Sequence, residues 1–265
     1  MRTLSLLALG AGALFSMAVA AQDVTLTRLD CGSGFNDARR FTDTYAYTDP
    51  KVPFTFSCYV IKHGSDIMVW DTGYLPGSTP NANNKPLVDL LKQINVDPEQ
   101  VKFVGISHFH ADHTGQLAPL KNATLLIGKS DWDGVTANPP MGGANVKGFS
   151  EWISEKRKVE PLTTDKDVFG DGTVWILRAP GHTPGHSLLV VRLKEKGPVV
   201  LVGDAAHFRE NYDREGVPSF NFDRAQTIAS IQRIKQIEKN LKATVIIQHD
   251  PRDIGKLPAF PAAAK

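Results

Sequence analysis

The chain has 265 residues, a formal net charge of +2 at pH 7 and 42% hydrophobic residues. This length fits one large domain or two small ones, and the sequence contains no linker, low-complexity tract or clear internal repeat. A near-neutral charge without a concentrated basic stripe does not support nucleic-acid binding. After residue 20 the sequence has no stretch long and apolar enough to cross a membrane.

The first 20 residues have the features of a secretory signal peptide. Arg2 provides a positive start, an apolar run extends from Leu4 to Ala20, and Ala18-Val19-Ala20 fits the A-x-A cleavage pattern. An uncleaved membrane anchor is the alternative, although the run is only about long enough to span a bilayer. We therefore expect a signal peptide over 1–20, a single domain over 21–265, and a periplasmic or secreted protein with no membrane attachment after cleavage.

The two cysteines, Cys31 and Cys58, would lie in that oxidising compartment, where a disulfide is permitted. Cys58 belongs to the alternating run from Phe54 to Ile61, so a buried free thiol is the alternative. Because geometry decides whether two cysteines can be joined, the sequence leaves both arrangements open.

Hydrophobic periodicity predicts alternating strands and helices in the first half of the domain. A β-hairpin is expected from Phe54 to Asp71, with its turn at residues 63–65, where His63 should face solvent. The Pro-, Gly- and Asn-rich residues 74–85 predict a loop. An amphipathic helix from Leu87 to Ile94 follows it.

The second half continues with strands and with one segment of uncertain role. The strand ATLLIG leads to a predicted capped helix start at residues 129–132, and the Gly- and Pro-rich residues 133–150 suggest a mobile insertion. Four large apolar side chains in this region could line a substrate pocket or pack in the core: Trp132, Met141, Phe149 and Trp152. Strands TVWILRA, SLLVVRL and PVVLVGD precede a helix that Asp223 should cap, and the last strand is ATVIIQH.

The most informative stretch follows the apolar run Val101 to Ile106, which predicts a buried strand. Four ligand-type side chains come next, in the pattern H-x-H-x-D-H: His108, His110, Asp112 and His113. Neutral imidazole and ionised carboxylate are ligands of borderline divalent metals, zinc foremost. Neighbouring side chains in a loop diverge, so four such groups within six residues are too many to converge on one tetrahedral ion. The motif therefore predicts two metal ions, about 3.5–4 Å apart.

Three further candidates each follow a predicted buried strand: His182, Asp204 and His249. Open α/β sheets place their sites at the C-terminal edges of strands, so these residues should join the first cluster. Histidines that merely fill polar loops are the alternative, and the repetition of the pattern argues against it.

The chain resembles the metallo-β-lactamase superfamily of binuclear hydrolases in three motifs. They are the H-x-H-x-D-H motif, the Gly-His-Thr-Pro-Gly-His segment that begins at Gly181, and Val-Gly-Asp before a strand-end histidine. The resemblance extends from Asp71-Thr72-Gly73 to His249. It implies an α/β fold, a four-layer αββα sandwich. It also implies that His108, His110 and His182 hold the first metal, that Asp112, His113 and His249 hold the second, and that Asp204 bridges both.

The same resemblance implies two zinc ions per chain, for which other divalent metals could substitute. A water shared by two cations would lose a proton near neutral pH and act as the nucleophile. Asp112 would hold that proton and pass it to the leaving group. Asp71 would support the metal loops, and His186 would be structural.

Asp204 narrows the substrate class, because true β-lactamases of the superfamily generally have Cys or Ser at this place. The Asp112 to Gly115 stretch and the helix start at Phe222 to Gln226 are most similar to N-acyl-homoserine lactonases. Those lactonases commonly carry a Tyr where this chain has His207. An imidazole can donate the same hydrogen bond to a substrate carbonyl, so we expect His207 to be catalytic, with a solvated loop residue as the alternative.

Together these features predict an exported dinuclear zinc hydrolase that opens lactone or ester bonds, with N-acyl-homoserine lactones as substrates and quorum quenching as the role. Hydrolysis of β-lactams, phosphoesters or organophosphates on the same site is the alternative. A non-catalytic metal-binding protein would be expected to lack a ligand, and none is missing. The expected partner is a small-molecule substrate, and a homodimer is compatible with the sequence.

Overall fold

The structure of the protein is a computed structural model. It describes residues 23–79, 82–154 and 157–265, so the expected signal peptide lies outside the described residues. Within those ranges, every helix is too short or too polar to span a membrane.

The described ranges contain twelve strands and six α-helices. The strands are β1 (Val24–Asn36), β2 (Val52–His63), β3 (Asp66–Trp70), β4 (Ala82–Asn84), β5 (Phe103–Gly105), β6 (Thr124–Gly128), β7 (Val159–Leu162), β8 (Lys166–Asp167), β9 (Val174–Arg178), β10 (Ser187–Leu193), β11 (Gly197–Leu201) and β12 (Thr244–Ile246). The α-helices are α1 (Leu87–Gln93), α2 (Ala111–Thr114), α3 (Lys129–Thr136), α4 (Ser150–Ile153), α5 (Arg209–Arg214) and α6 (Arg224–Leu241).

The strands form two sheets that pack face to face. A seven-stranded sheet has the order β4-β1-β2-β3-β5-β6-β7, and a five-stranded sheet has the order β12-β11-β10-β9-β8. Side chains from both sheets share one buried core, which includes Tyr59, Met68 and Trp70 from the first sheet and Leu189 and Leu201 from the second. The expected hairpin is confirmed, since β2 and β3 pair antiparallel with Tyr59 opposite Trp70.

Helices cover the outer face of each sheet, as their apolar periodicity predicts. Leu87 and Leu91 of α1 pack against the first sheet, and Ile231 and Ile234 of α6 pack against the second. The Asp223 side chain accepts a hydrogen bond from the Gln226 N–H (2.9 Å) and so caps α6. The order helix, sheet, sheet, helix confirms the predicted αββα sandwich.

His63 does not face solvent as the sequence suggested. It is 9% exposed, its Nε2 lies 2.8 Å from Asp171 Oδ2, and its ring stacks on Phe169 at a centroid distance of 4.1 Å. The expectation was wrong because Phe169 and Asp171, which follow β8, pack over the hairpin turn.

The region from residue 129 to residue 150 also differs from expectation. Helix α3 begins without a side-chain cap, and Asp131 is buried instead of capping the helix. Phe149 and Trp152 are fully buried in the core of the first sheet, with Met141 and Trp132 packed against it. Ordinary packing is therefore the role of these four side chains.

Cys31 and Cys58 are joined in a disulfide, with their Cα atoms 5.9 Å apart. The bond links β1 to β2 in the interior, because both cysteines are fully buried. Gly73 abuts the bridge so closely that a Cβ there would lie 3.0 Å from Cys31 Cβ. The disulfide is thus packed against the Asp71-Thr72-Gly73 turn.

Candidate metal centre

All seven predicted ligands come together at one edge of the sandwich. His108 and His110 follow β5, and Asp112 and His113 lie on the short helix α2. The ligands from the second half follow β9, β11 and β12: His182, Asp204 and His249. Each chain segment leaves its sheet at the C-terminal end of a strand, which explains why residues far apart in sequence converge.

The ligands form two groups that share one carboxylate. The first group is His108, His110, His182 and Asp204, and the second is Asp112, His113, Asp204 and His249. Within each group the ligand atoms all lie within 4.8 Å of one another. Asp204 Oδ2 is 3.3 Å from His182 Nε2, whereas Asp204 Oδ1 is 2.9 Å from His249 Nε2. The two carboxylate oxygens therefore face different groups, as a bridging ligand requires.

Several buried atoms of the second group lack a hydrogen bond of acceptable geometry among the described residues. They are His113 Nε2, His249 Nε2 and Asp204 Oδ1. A buried polar atom left unpaired costs about 1–3 kcal/mol, so three of them pointing at one place are unfavourable unless a ligand satisfies them. A divalent cation satisfies imidazole and carboxylate lone pairs together, and the residues present fit one.

The electrostatics of the site agree with this fit. Burial lowers the pKa of His108 and of His182 well below the usual range, which keeps both imidazoles neutral and able to bind a metal. Burial alone would raise the pKa of Asp204, but the nearby His249 and His207 hold it well below its usual range. Burial opposes a charge on His113, yet Asp204 and Asp112 raise its pKa. The carboxylates of Asp112 and Asp204 thus favour a positive charge, whether a proton or a cation, beside Asp204.

Hydrogen bonds from outside the two groups fix the ring orientations. His249 Nδ1 donates to the Thr55 carbonyl at 2.7 Å, and His182 Nδ1 lies 2.8 Å from Asn221 Oδ1. Asp71 accepts from the Ser107 N–H at 2.7 Å, which holds the start of the metal loop. Such partners set which ring nitrogen faces the metal. Thr55 and Asn221 carry no sequence signal for this role and were not predicted.

His186 takes the structural role expected for it. Its Nδ1 donates to the Ala179 carbonyl at 2.9 Å, and its Nε2 accepts from the Asp204 N–H at 2.9 Å. Burial lowers the pKa of His186 to about 4, so the ring is neutral and can accept that bond. His186 therefore holds the backbone of Asp204 and belongs to neither ligand group.

Asp131 is a supporting residue that the sequence did not reveal. Its carboxylate accepts from Thr183 Oγ1 at 2.7 Å and from the Gly185 N–H at 2.6 Å. These bonds tie α3 to the loop that carries His182. Gly185 also has to be a glycine here, because a Cβ would lie 2.4 Å from the Asp131 nitrogen.

A cavity of about 300 Å³ opens onto the ligands. Its apolar lining includes Phe41, Phe54, Phe56 and Phe220, and its polar lining includes Asn36, Arg40, Tyr74 and His207. The segment 133–150 contributes Gly143, where a Cβ would lie 2.9 Å from His110 Nε2. A larger groove of about 1050 Å³, lined by Trp175 and Arg192 among others, contains none of the seven ligands.

His207 lies in the wall of the site and is not a solvated loop residue. It is 2% exposed, and its Nε2 is 3.1 Å from Asp204 Oδ2. Its ring stacks on that of His249 at 5.6 Å and contacts Phe41 at 4.7 Å. Burial among aromatic rings, with one nitrogen at the carboxylate shared by both groups, places this imidazole in the cavity wall beside the candidate metal centre.

Residues 53–249 match the Metallo-beta-lactamase superfamily. The chain belongs to the metallo-β-lactamase superfamily. The matched segment begins at β2 and ends at His249, so it contains every ligand of the two groups.

The relatives of this superfamily member include N-acyl homoserine lactonase AttM of Rhizobium radiobacter, which is 34% identical over 167 residues. The match covers 62% of this chain and 64% of AttM, slightly under two thirds of that protein. The fold is similar to that of a quorum-quenching N-acyl homoserine lactone lactonase, with a TM-score of 0.79, 22% identity, and 93% and 100% of the two chains covered. It is also similar to AidC, a dizinc quorum-quenching lactonase, with a TM-score of 0.70, 16% identity, and 92% and 91% covered. At these identities the solved structures establish the shared fold.

Proposed function

We propose that the protein is a metal-dependent hydrolase that opens lactone or ester bonds, with N-acyl homoserine lactones as its substrates. The observation that carries this proposal is the complete pair of ligand groups, joined by the carboxylate of Asp204. A binding protein has no need for a bridged pair of groups at the floor of a cavity. A hydrolase does, because two cations held there would together activate a water and stabilise the charge on the reacting oxygens.

Two divalent cations, zinc foremost, fit the two groups. One would be held by His108, His110 and His182, and the other by Asp112, His113 and His249. Asp204 belongs to both groups and would be shared. When bound, such cations supply Lewis acidity, which makes a water a nucleophile near neutral pH and polarises the carbonyl of the substrate.

In this proposal Asp112 carries the proton. Its Oδ2 lies 3.6 Å from His249 Nε2, and the residue also lines the cavity. Burial would raise the pKa of Asp112, but His113 and His249 hold it below its usual range, so the carboxylate is ionised. In the proposed reaction a water oxygen bonds to the carbonyl carbon and the ring C–O bond breaks. The proton of the water passes through Asp112 to the ring oxygen, which gives a hydroxy acid.

The cavity supports an acylated substrate. Four phenylalanine rings form the apolar wall beside the ligands, and this wall suits a hydrocarbon chain better than it suits a charged phosphoester. His207 lies at the junction of this wall and Asp204, where an N–H could donate to the amide or lactone carbonyl of the substrate. The lactonase relatives support the same substrate class.

We also propose that the protein is exported. The A-x-A pattern before Ala21 supports this, as does the Cys31–Cys58 disulfide, which is typical of oxidising compartments. Cell fractionation followed by N-terminal sequencing tests the proposal, with a mature chain in the periplasm or medium as the expected result. A full-length chain retained in the cytoplasm would contradict it.

The hydrolase proposal is tested with a substrate panel on purified, zinc-loaded protein. Homoserine lactones of several acyl lengths are compared with a chromogenic β-lactam, a phosphodiester and an organophosphate triester. We expect the highest kcat/KM for a lactone, with activity lost on chelation and restored by zinc. Preference for the β-lactam or for either phosphoester would overturn the assigned substrate class.

A further inference from the structure

Tyr74 is a polar side chain of the cavity wall that has no part in holding the metal groups. It follows the Asp71-Thr72-Gly73 turn, and its ring packs edge-on against Phe56 at a centroid distance of 5.0 Å. Among the residues that the structure describes, the Tyr74 hydroxyl has no hydrogen-bond partner. By contrast, Tyr212 Oη donates to Glu238 at 2.7 Å. A phenol that lines a cavity and has no protein partner can donate to a ligand bound there.

The backbone of Tyr74 is fixed against the helix that carries Asp112. Gln116 Nε2 donates to the Tyr74 carbonyl at 2.8 Å, and the Gly115 N–H donates to the Gly73 carbonyl at 2.9 Å. The approach is so close that a Cβ on Gly115 would lie 2.8 Å from the Tyr74 carbonyl carbon. The Tyr74 backbone is therefore held against the residues that follow α2, and its ring is held by Phe56.

Tyr74 and Asp112 line the same cavity. A phenol loses its proton only near pH 10, about three units above neutral. The Tyr74 hydroxyl therefore keeps its proton at neutral pH and can act as a donor. The two groups that flank this part of the cavity are thus a neutral O–H and a carboxylate.

His207 does not offer a donor at this place. Its Nε2 is 3.1 Å from Asp204 Oδ2, the carboxylate oxygen that faces the first group, whereas Asp112 belongs to the second group. Tyr74 instead packs on Phe56, whose ring lies 5.7 Å from that of His249, a member of the second group. Asp112, which delivers the proton in the proposed reaction, belongs to the same group.

We infer that Tyr74 is a further catalytic residue, whose hydroxyl donates a hydrogen bond to the ring oxygen of the lactone as the C–O bond breaks. The inference rests on the proposed hydrolase function. An alkoxide is a poor leaving group, and its charge develops only as the bond lengthens. A fixed neutral donor therefore stabilises the transition state more than the bound substrate. Asp112 supplies the proton, and Tyr74 holds the oxygen that receives it.

The test compares two substrates with the same acyl chain in wild type and Tyr74→Phe. One is a homoserine lactone, which releases an alkoxide, and the other is an aryl ester, which releases a phenolate that needs little stabilisation. For the lactone we expect kcat to fall about 100-fold with KM little changed. For the aryl ester we expect kcat to change by less than about threefold. Tyr45→Phe, at a position that is 91% exposed, is the matched control.

Two measurements without turnover separate this role from a structural one. Zinc content and the Kd for a non-hydrolysed homoserine lactam should both match wild type in Tyr74→Phe. An equal loss of kcat on both substrates, a loss of zinc, or unchanged lactone turnover would each overturn the role of Tyr74. A wild-type protein that hydrolyses neither substrate would overturn the proposed function, and the role of Tyr74 with it.

Discussion

Asp71 Oδ2 and His113 Nδ1 lie 2.9 Å apart, and both side chains are completely buried. A carboxylate can only accept here, so Nδ1 carries the proton and Nε2, which lies 3.3 Å from Asp204 Oδ1, is the nitrogen that would bind a metal. Asp71 has a φ of 56°, a conformation that L-residues seldom adopt and that Asp tolerates better than most. Its N–H bonds the Gly105 carbonyl at 2.9 Å, which holds this conformation in place. A strained residue with a buried partner next to the ligands indicates a functional constraint.

Replacing Asp71 with Asn should weaken the second metal site. An amide oxygen is a weaker acceptor than a carboxylate oxygen, and an amide N–H would face the N–H of His113. The His113 ring would therefore lose the hydrogen bond that orients it. We expect zinc affinity at that site to fall about 10- to 100-fold, as measured by competition with a chromogenic chelator. Asp66→Asn, at the other end of β3 and paired with Lys102, is the control. Two zinc ions held with wild-type affinity in Asp71→Asn would contradict the prediction.

Replacing Asp112 with Asn should leave most of the bound metal but reduce turnover. The amide oxygen keeps a ligand atom, whereas the ability to accept and release a proton is lost. We expect kcat to fall about 100-fold or more, with zinc content followed by metal analysis on the same sample. If turnover stays at the wild-type level with full metal content, Asp112 does not carry the proton.

His207→Ala should damage lactone turnover more than it damages metal binding. The substitution removes the N–H near Asp204 and opens space among Phe41, Phe220 and His249. We expect kcat/KM for lactones to fall about 10- to 100-fold. His207→Tyr, which restores a hydroxyl donor, should recover part of the loss. No kinetic change in the Ala variant would reduce His207 to a bystander.

Asp131 should make stability depend on pH. Burial raises its pKa from 3.8 to about 7, so the folded protein prefers the protonated carboxyl. The resulting stabilisation is complete below the ordinary aspartate pKa and is lost as the pH rises through 7. Relative to Asp131→Asn, the free energy of unfolding should therefore fall by up to about 1.4 kcal/mol per pH unit between pH 4 and pH 7.

This comparison uses denaturant unfolding of chelator-treated protein, so that bound cations do not add their own charge. Asp133→Asn, an exposed position on the same helix that pairs with Lys129, is the control. Parallel pH profiles for wild type and Asp131→Asn would show that the carboxyl does not titrate as described.

Removing the metals should lower thermal stability. The unpaired atoms of His113, His249 and Asp204 would then stay buried without a partner. A ligand present at 1,000 times its Kd adds about 4 kcal/mol, which corresponds to roughly 10 °C for a domain of this size. Calorimetry before and after chelation, with zinc added back, measures this shift. An unchanged Tm would show that the groups bind no cation in the folded protein.

The sequence predicted that the seven candidate ligands would lie together because their signal is local. The motif at residues 108–113, His182, Asp204 and His249 each follow a run of apolar residues, and the rule for strand ends then brings them together without knowledge of the contacts. The supporting residues have no such signal. Asp131 meets Gly185 across 54 positions, and His63 meets Asp171 across 108, so only the packing of distant segments reveals these pairs. Phe149 and Trp152 illustrate the same limit, since the sequence left core packing and a pocket wall open for them and apolar character does not distinguish the two.

Each ligand group takes two side chains from the first sheet's half of the chain and two from the second's. A cation bound in either group would therefore cross-link the two halves of the sandwich. The affinity of a group for its cation then depends on how accurately the two sheets are aligned. Truncating a side chain in the core between the sheets, such as Trp70 or Leu189, would therefore lower the affinity for metal although none of the candidate ligands is changed. The packing of the core between the sheets and the geometry of the candidate metal centre thus depend on each other.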